Sequence, residues 1–327
     1  MANKRLTGKD FFMKITVLDR CTVTTGDLSF APIEAVGNVT YYDVLAPEEI
    51  IPAIGDSEAV IVNKAKITAE IMDGCKNLRF IGLFATGYNN IDTKAAAERG
   101  ICVCNVPGYS TDSVTQHTFA LLLHFASNAD LYAGSVANGD WERSKTFSYL
   151  AFPISELRGK TLGIFGFGTI GKSVATVAKA FGMNVIATVR RPSDFEGVTF
   201  VDKDTLLAES DYLTLHCPLT DETRGFINRE SLSKMKPSAV IINTARGGVI
   251  EEDALCEALN ENRLRGAGID VLDIEPMTPG HPYMRAKNCY ITPHVAWASI
   301  EARTRLITLV AENLKGFRDG KIINQVN

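Results

Sequence analysis

Thr161–Phe165 (TLGIF) runs straight into Gly166-Phe-Gly168-Thr-Ile-Gly171, and a helical stretch, Lys172–Phe181, follows at once. A strand, a three-glycine turn and a helix N-terminus in that order constrain the fold more than any other segment. Gly166 allows the tight turn, and Gly168 lets a pyrophosphate come close to the backbone. Gly171 lets helix and strand pack closely, while the helix's free N–H groups and dipole face an anion. The pattern points to a bound dinucleotide; taken alone, a glycine-rich turn that only packs remains the alternative. Because the turn begins at residue 166 of 327, a domain's worth of chain precedes it.

That length predicts about two domains, each with its own core. A hydrophobic fraction of 46% and a charged fraction of 22% are those of an ordinary globular protein. The net charge of -4 argues against nucleic acid or an anionic membrane as partner. No apolar run reaches the ~18 residues that span a bilayer. Residues 1–12 are basic and polar at first, lack the apolar stretch of a signal peptide, and read as a disordered extension or an alternative start before a strand at Met13. Cys21, Cys75, Cys102, Cys104, Cys217, Cys256 and Cys289 are scattered among apolar residues without a zinc-type C-x-x-C pair. They read as free thiols in a reducing cytoplasm, with no metal site.

Short apolar runs at Lys14–Leu18, Asn38–Tyr42, Ala59–Val62, Arg79–Leu83 and Ile101–Asn105 alternate with helical segments at Phe30–Val36, Pro47–Ile54, Ala69–Gly74 and Thr93–Arg99. This order predicts a parallel sheet covered on both faces, with Thr68 and Asp92 as helix N-caps. The longer helix Ser113–Ser127 is apolar nearly all round over residues 119–125, which predicts burial between domains or at a subunit interface. A second unit then shows six strands, Thr161–Phe165, Asn184–Val189, Asp211–His216, Ala239–Asn243, Gly266–Asp270 and Cys289–Thr292. They fit a doubly wound dinucleotide fold. The amphipathic helix Ile300–Phe317 is expected to cross back onto the first domain, leaving a ligand cleft between two domains joined twice.

A nicotinamide cofactor needs a hydride partner, and an anionic substrate needs a cation and a proton donor. Arg246 follows one strand, in Asn243-Thr-Ala-Arg-Gly-Gly248, and can fork onto a carboxylate. Glu275 follows the strand that ends in Asp270, and His294 closes the last strand. A carboxylate beside an imidazole favours the charged ring, which suits a proton donor. Singly, each has an ordinary reading as a surface arginine or a structural histidine. His117 and His124, on the apolar helix, read as core or interface residues, His216 ends a strand, and His281 lies in a polar loop. Arg246, Glu275 and His294 gain together because each follows a different strand at the same sheet edge.

The phrases NTARGGVIEEDAL, GAGIDVLDIEP and ITPHVAWAS, with GFGTIG upstream, closely resemble the D-2-hydroxyacid dehydrogenase family. FATGYNNIDTKAAAERGI and NVPGYSTDSV extend the likeness through the first half, and HVAWAS and IINQVN look most like its glycerate dehydrogenase/hydroxypyruvate reductase branch. The resemblance implies two α/β domains with doubly wound parallel sheets. A Rossmann-type cofactor domain, residues 113–298, would be inserted in a flavodoxin-like substrate domain, residues 1–112 with 299–327. It implies that Arg246 binds substrate, that His294 is the acid/base and that Glu275 is its partner. It also implies a carboxylate-binding loop at Ala85-Thr86-Gly87. Cofactor contacts would come from Gly166, Gly168, Thr169, Ile170, Gly171, Cys217, Thr223, Thr244, Ala245, Asp270, His294 and Ala296. The implied reaction is reversible NAD(P)H-dependent reduction of a small 2-oxo acid, hydroxypyruvate or glyoxylate, to a D-2-hydroxy acid in a cytoplasmic homodimer.

Two positions depart from the family pattern. NAD-preferring members carry an acid where this chain has Val189, followed by Arg190 and Arg191. An acid there accepts hydrogen bonds from ribose hydroxyls and repels a 2′-phosphate, whereas arginines attract one, so NADP(H) is favoured over NAD(H). Gln116 replaces a common Glu outside the reacting centre and carries no consequence. Trp297 either walls the substrate pocket or packs at a hinge. A nucleotide-sensing scaffold or corepressor on the same fold is the alternative function. The related formate dehydrogenase branch pairs its His with Gln, and Glu275 speaks against it.

Overall fold

The computed structural model describes residues 12–190 and 194–327. The expected extension over residues 1–12 falls, apart from Phe12, outside the described residues, and so does Arg191. The chain divides into two compact units, Met1–Ser110 with Ala298–Asn327, and Thr111–Trp297.

The first unit runs β1 (Met13–Val17), α1 (Ala31–Glu34), β2 (Gly37–Tyr41), α2 (Ile50–Ile54), β3 (Ala59–Val62), α3 (Ala69–Gly74), β4 (Phe80–Leu83), α4 (Thr93–Glu98) and β5 (Cys102–Cys104). Its five strands are all parallel, in the order β2-β1-β3-β4-β5. Helices cover both faces, so β3, β4 and β5 are buried at every residue and read as continuous apolar runs. Asp92 Oδ1 accepts the Ala95 N–H at 2.9 Å and Thr68 Oγ1 accepts the Ile71 N–H at 3.4 Å, so both expected caps form. The C-terminal helix Ile300–Arg318 packs on β4 and α1, with Phe317 against Phe80 at 5.1 Å between ring centroids. The last residues then cover the edge of β5: the Val326 N–H donates to the Val103 carbonyl at 2.9 Å, and Asn327 Oδ1 accepts the Val103 N–H at 2.9 Å. An otherwise open strand edge is closed by the chain's own tail.

The second unit begins with α5 (Thr111–Ser127) and α6 (Ala129–Ala137). It continues through β6 (Thr161–Phe165), α7 (Thr169–Ala180), β7 (Asn184–Thr188), β8 (Val198–Phe200), α8 (Lys203–Glu209) and β9 (Tyr212–Leu215). It ends with α9 (Arg229–Ser233), β10 (Val240–Asn243), α10 (Glu252–Asn260), β11 (Gly266–Ile269) and β12 (Cys289–Ile291). Seven parallel strands, not six, lie in the order β8-β7-β6-β9-β10-β11-β12. The added strand β8 is a three-residue edge strand that buries no residue fully, so it lacks the apolar run by which the others show themselves. Side chains alternate between two cores: Leu162, Ile164, Val240 and Ile242 face one, Phe165 and Ile241 the other.

Helix α5 buries its apolar face in a core of its own unit. Phe119, Leu122 and Phe125 belong to one core of the seven-stranded sheet, and Phe119 stacks on Phe181 with 5.5 Å between centroids. The close approach depends on glycines in β11. A Cβ at Gly268 would lie 3.0 Å from Leu121 Cβ, and one at Gly266 would run into the Phe125 ring. Gly266→Ala is therefore expected to overpack this contact and cost about 1–3 kcal/mol. Urea denaturation would show it as a lowered midpoint at unchanged slope, and an unaltered midpoint would contradict the close contact.

Candidate active site

The glycine turn after β6 has the geometry its sequence requires. Gly166 sits at φ +99°, and a Cβ there would lie 2.6 Å from the Cys217 nitrogen. A Cβ on Gly171 would strike the Gly166 carbonyl. Gly168 caps α7 and has nothing within 4 Å of its would-be Cβ, which leaves room above the helix's N-terminal N–H groups. That open cradle fits a dinucleotide pyrophosphate. The turn lies at the switch point of the sheet, where β6 has β7 on one side and β9 on the other. Thr169 and Ile170 form the first turn of α7, and Ile170 packs on the core. Beyond β7, Val189 packs on the same core and Arg190 is exposed.

After β9 come His216 and Cys217. Burial pushes the Cys217 thiol up to about 11, and Thr223 Oγ1 folds the following loop by donating to the Pro218 carbonyl at 2.7 Å. Both ring nitrogens of His216 are buried without a hydrogen-bond partner among the described residues. Burial pushes this imidazole down to about 3, so it stays neutral.

The acid/base candidates follow three adjacent strands. Beyond β10, fully buried Asn243 ties the turn: its Nδ2 donates to the Arg246 carbonyl at 3.0 Å and its Oδ1 accepts the Ala245 N–H at 3.0 Å. Arg246 is held exposed between buried Ala245 and buried Gly247, with Nη1 donating to the Ala245 carbonyl at 2.6 Å. Neighbouring Thr244 meets Thr118 of α5, the two hydroxyl oxygens 3.2 Å apart. Beyond β11, buried Asp270 accepts the N–H groups of Val295 at 3.0 Å and Ala296 at 2.9 Å. Glu275 Oε1 accepts the Leu272 N–H at 2.9 Å, which aims its other oxygen.

That second oxygen lies 2.6 Å from His294 Nδ1, beyond β12. A carboxylate accepts only, so Nδ1 carries the proton and Nε2 is the ring's exchangeable site. His294 holds φ +54°, a left-handed conformation unusual outside glycine. Its N–H donates to the Asp270 carbonyl at 2.8 Å, and its own carbonyl accepts Trp297 Nε1–H at 2.9 Å. Four residues that the sequence reading left out of the site therefore surround it: Asn243, Thr292, Ser113 and His117. His117, read from the sequence as a core or interface residue, places its Nε2 2.9 Å from Thr292 Oγ1. The sequence signal was a pair of polar residues four apart, Ser113 and His117, which share one face of the helix ahead of its apolar stretch.

In the first unit, residues 85–87 follow β4. Thr86 Oγ1 donates to the Val106 carbonyl at 2.8 Å and the Thr86 carbonyl accepts Asn105 Nδ2–H at 2.7 Å, so the loop is fixed from its back.

The sequence profile described as "D-isomer specific 2-hydroxyacid dehydrogenase, NAD binding domain" matches residues 119–296. A hydroxypyruvate reductase of Blautia hydrogenotrophica is 41% identical over 96% of this chain and 100% of its own. The chain belongs to the D-isomer specific 2-hydroxyacid dehydrogenases. A glycerate dehydrogenase of Methylorubrum extorquens is 41% identical over 88% of this chain and 90% of its own. Among solved structures, an NADPH-dependent glyoxylate/hydroxypyruvate reductase of Sinorhizobium meliloti, in complex with NADP and malonate, superposes with a TM-score of 0.80. It is 29% identical and covers 96% of each chain. This dehydrogenase is thus an oxidoreductase acting on CH–OH donors, working with a nicotinamide cofactor on small 2-oxo and 2-hydroxy acids. Among the described residues no helix is long and apolar enough to cross a membrane, and no group of three His, Cys, Asp or Glu could hold a metal.

The buried imidazole of His216 gives a stability test. Between pH 6.5 and about 3 the unfolded chain binds a proton at this residue and the folded chain does not. Stability is therefore lost as pH falls through that window, by about 1.4 kcal/mol per pH unit at most. His216→Leu should lose less stability than wild type between pH 7 and pH 5, by up to about 2 kcal/mol in urea titrations. Equal losses in the two proteins would contradict a neutral buried ring.

Proposed function

We propose that this dehydrogenase reversibly reduces hydroxypyruvate or glyoxylate to the matching 2-hydroxy acid, D where a stereocentre forms, with NADPH preferred over NADH. The observation that carries this reading is the Glu275–His294 pair at 2.6 Å, its members following β11 and β12, next to β10, which leads to Arg246. The glycine cradle at 166–171 holds the dinucleotide, with Thr169 and Ile170 under the pyrophosphate and Cys217 and Thr223 along its edge. Thr244, Ala245, Asp270 and Ala296 lie against the nicotinamide. A bound reduced nicotinamide supplies hydride to the carbonyl carbon.

The chain's own residues do the rest. Arg246 forks onto the substrate carboxylate and carbonyl, helped by backbone N–H groups of Ala85, Thr86 and Gly87, and so sets which face of the carbonyl is presented. Protonated His294 gives its Nε2 proton to the carbonyl oxygen as charge develops there. Glu275 holds Nδ1–H throughout, fixing the ring's orientation and facing the imidazolium charge. Trp297 walls the pocket and favours short acids.

The preference for NADPH rests on Val189 in place of an acid and on the exposed Arg190 after it. The similar reductase of Sinorhizobium meliloti was solved with NADP, in keeping with this. A homodimer is proposed on a different surface from the helix that first suggested it. Phe147 is 91% exposed, Leu150 90% and Ile154 62%, an apolar stretch that a second copy would cover. Seven free thiols support a reducing cytoplasm.

The test is a steady-state matrix of hydroxypyruvate, glyoxylate, pyruvate and phenylpyruvate against NADPH and NADH. Hydroxypyruvate or glyoxylate with NADPH should give the highest kcat/KM, and a strong NADH preference would overturn the cofactor assignment. No oxidation of either cofactor with any acid would favour a nucleotide-sensing scaffold. His294→Ala should lower kcat about 10²–10⁴-fold while NADPH affinity, read by fluorescence titration, is retained. Turnover within a few-fold of wild type would remove His294 from its role.

A further inference from the structure

We infer that His117 is a positioning residue for the proton donor, acting through Thr292 on the Asp270 carboxylate that holds the backbone of residues 294–296. The inference rests on the assignment of His294 as acid/base.

The hydrogen-bond directions follow from what each group can give. Asp270 Oδ1 lies 2.5 Å from Thr292 Oγ1 and 3.0 Å from the Val295 nitrogen, and Oδ2 lies 2.9 Å from the Ala296 nitrogen. An ionised carboxylate only accepts, so Thr292 must donate its single hydroxyl hydrogen to Asp270. The Thr292 oxygen can then only accept from His117 Nε2, 2.9 Å away. The ring of His117 therefore carries a proton on Nε2, the same atom that lies 3.5 Å from Asp270 Oδ1. The relay runs one way, from His117 to Thr292 to Asp270.

Asp270 has no side-chain exposure, and a buried carboxylate is tolerated only while its donors stay in place. Those donors are the backbone of the segment that carries His294. His294 itself sits at φ +54°, a conformation that residues with a Cβ rarely adopt, so its own backbone does not choose this pose. The pose is imposed by Asp270, whose carbonyl takes the His294 N–H and whose carboxylate takes the next two. Helix α5 holds the same segment at a second point, because Ser113 Oγ donates to the Ala296 carbonyl at 2.7 Å. Ser113 and His117 are one helical turn apart and share a face. Without Nε2–H the Thr292 hydroxyl loses the donor that orients it, and the carboxylate loses its firmest partner. A loosened His294 misplaces the proton without altering how Arg246 grips the substrate, so kcat should fall and KM should not.

Two measurements test this. In the cofactor-free protein, nitrogen-15 imidazole spectra should show His117 carrying a proton on Nε2; a ring protonated on Nδ1 alone would overturn the relay. In kinetics, His117→Phe should lower kcat about tenfold with KM for the 2-oxo acid within about twofold. His117→Gln, which keeps an N–H donor near the same point, should recover kcat to within about threefold of wild type. Thr292→Val should behave like His117→Phe, and the double variant should lose little more than either alone, as coupled residues do. Equal activity of the Phe and Gln variants, or additive losses, would make His117 merely structural. The outcomes separate from those of the parent reading. An active His294→Ala removes the acid/base assignment, whereas an inactive His294→Ala beside a fully active His117→Phe removes only the relay.

Discussion

The buried carboxylate of Asp270 is the interaction on which the site depends. It collects a hydroxyl and two backbone N–H groups, all from residues 292–296. A charge out of water forces such satisfaction, and here every donor comes from the segment that carries His294, the proposed acid/base. The strand that delivers Asp270 is Gly266-Ala-Gly-Ile269, nearly bare of side chains. That bareness lets α5 lie against the sheet, with Leu121 and Phe125 filling the space above the glycines. The approach brings Ser113 and His117 within reach of the same segment. Small residues chosen for packing thus determine where a polar relay can form.

Arg246, Glu275 and His294 are linked by backbone as well as by their proposed roles. A Cβ on Gly247 would collide with the backbone at Leu272 and Asp273, so the Arg246 turn and the Glu275 loop are in direct main-chain contact. Glu252 Oε1 accepts the Asp273 N–H at 2.9 Å, and its other oxygen lies 3.0 Å from His281 Nε2. The loop carrying Glu275 is therefore held from α10 while His294 is held from α5. Precision at the 2.6 Å Glu275–His294 contact comes from two separate supports meeting. His281, read from sequence as a polar-loop residue, is buried because it belongs to one of them.

The elements most legible in the sequence were those whose chemistry is local. The three-glycine turn needs only its own residues to explain it, and parallel strands buried on both faces announce themselves as unbroken apolar runs. Asp92 and Thr68 were legible as caps for the same reason. The destination of α5 was not. An apolar helix says that it is buried and leaves open against what, and the answer lay in two glycines over 140 residues further along. The partners of His117 were hidden for a related reason. Only the meeting of β11 and β12 shows that Asp270 and Thr292 stand beside it. Edge strand β8 was missed because three half-exposed residues carry no period.

Cofactor discrimination rests on less structure than catalysis does. Val189 is drawn into the apolar cluster that also takes Phe167, Phe195 and Phe200, so its side chain is committed to packing. Losing an acid at that position removes a repulsion of the 2′-phosphate but does not by itself reject NADH. Active preference must come from a cation, and Arg190 is exposed. A charge contact at an exposed site contributes about 0–1 kcal/mol and is weakened by salt. The proposed preference is therefore modest in size and dependent on ionic strength. The Glu275–His294 contact, held in place by buried groups, has neither property. On the proposed reading, one chain can thus keep its chemistry fixed while its choice of nucleotide remains open to small surface changes.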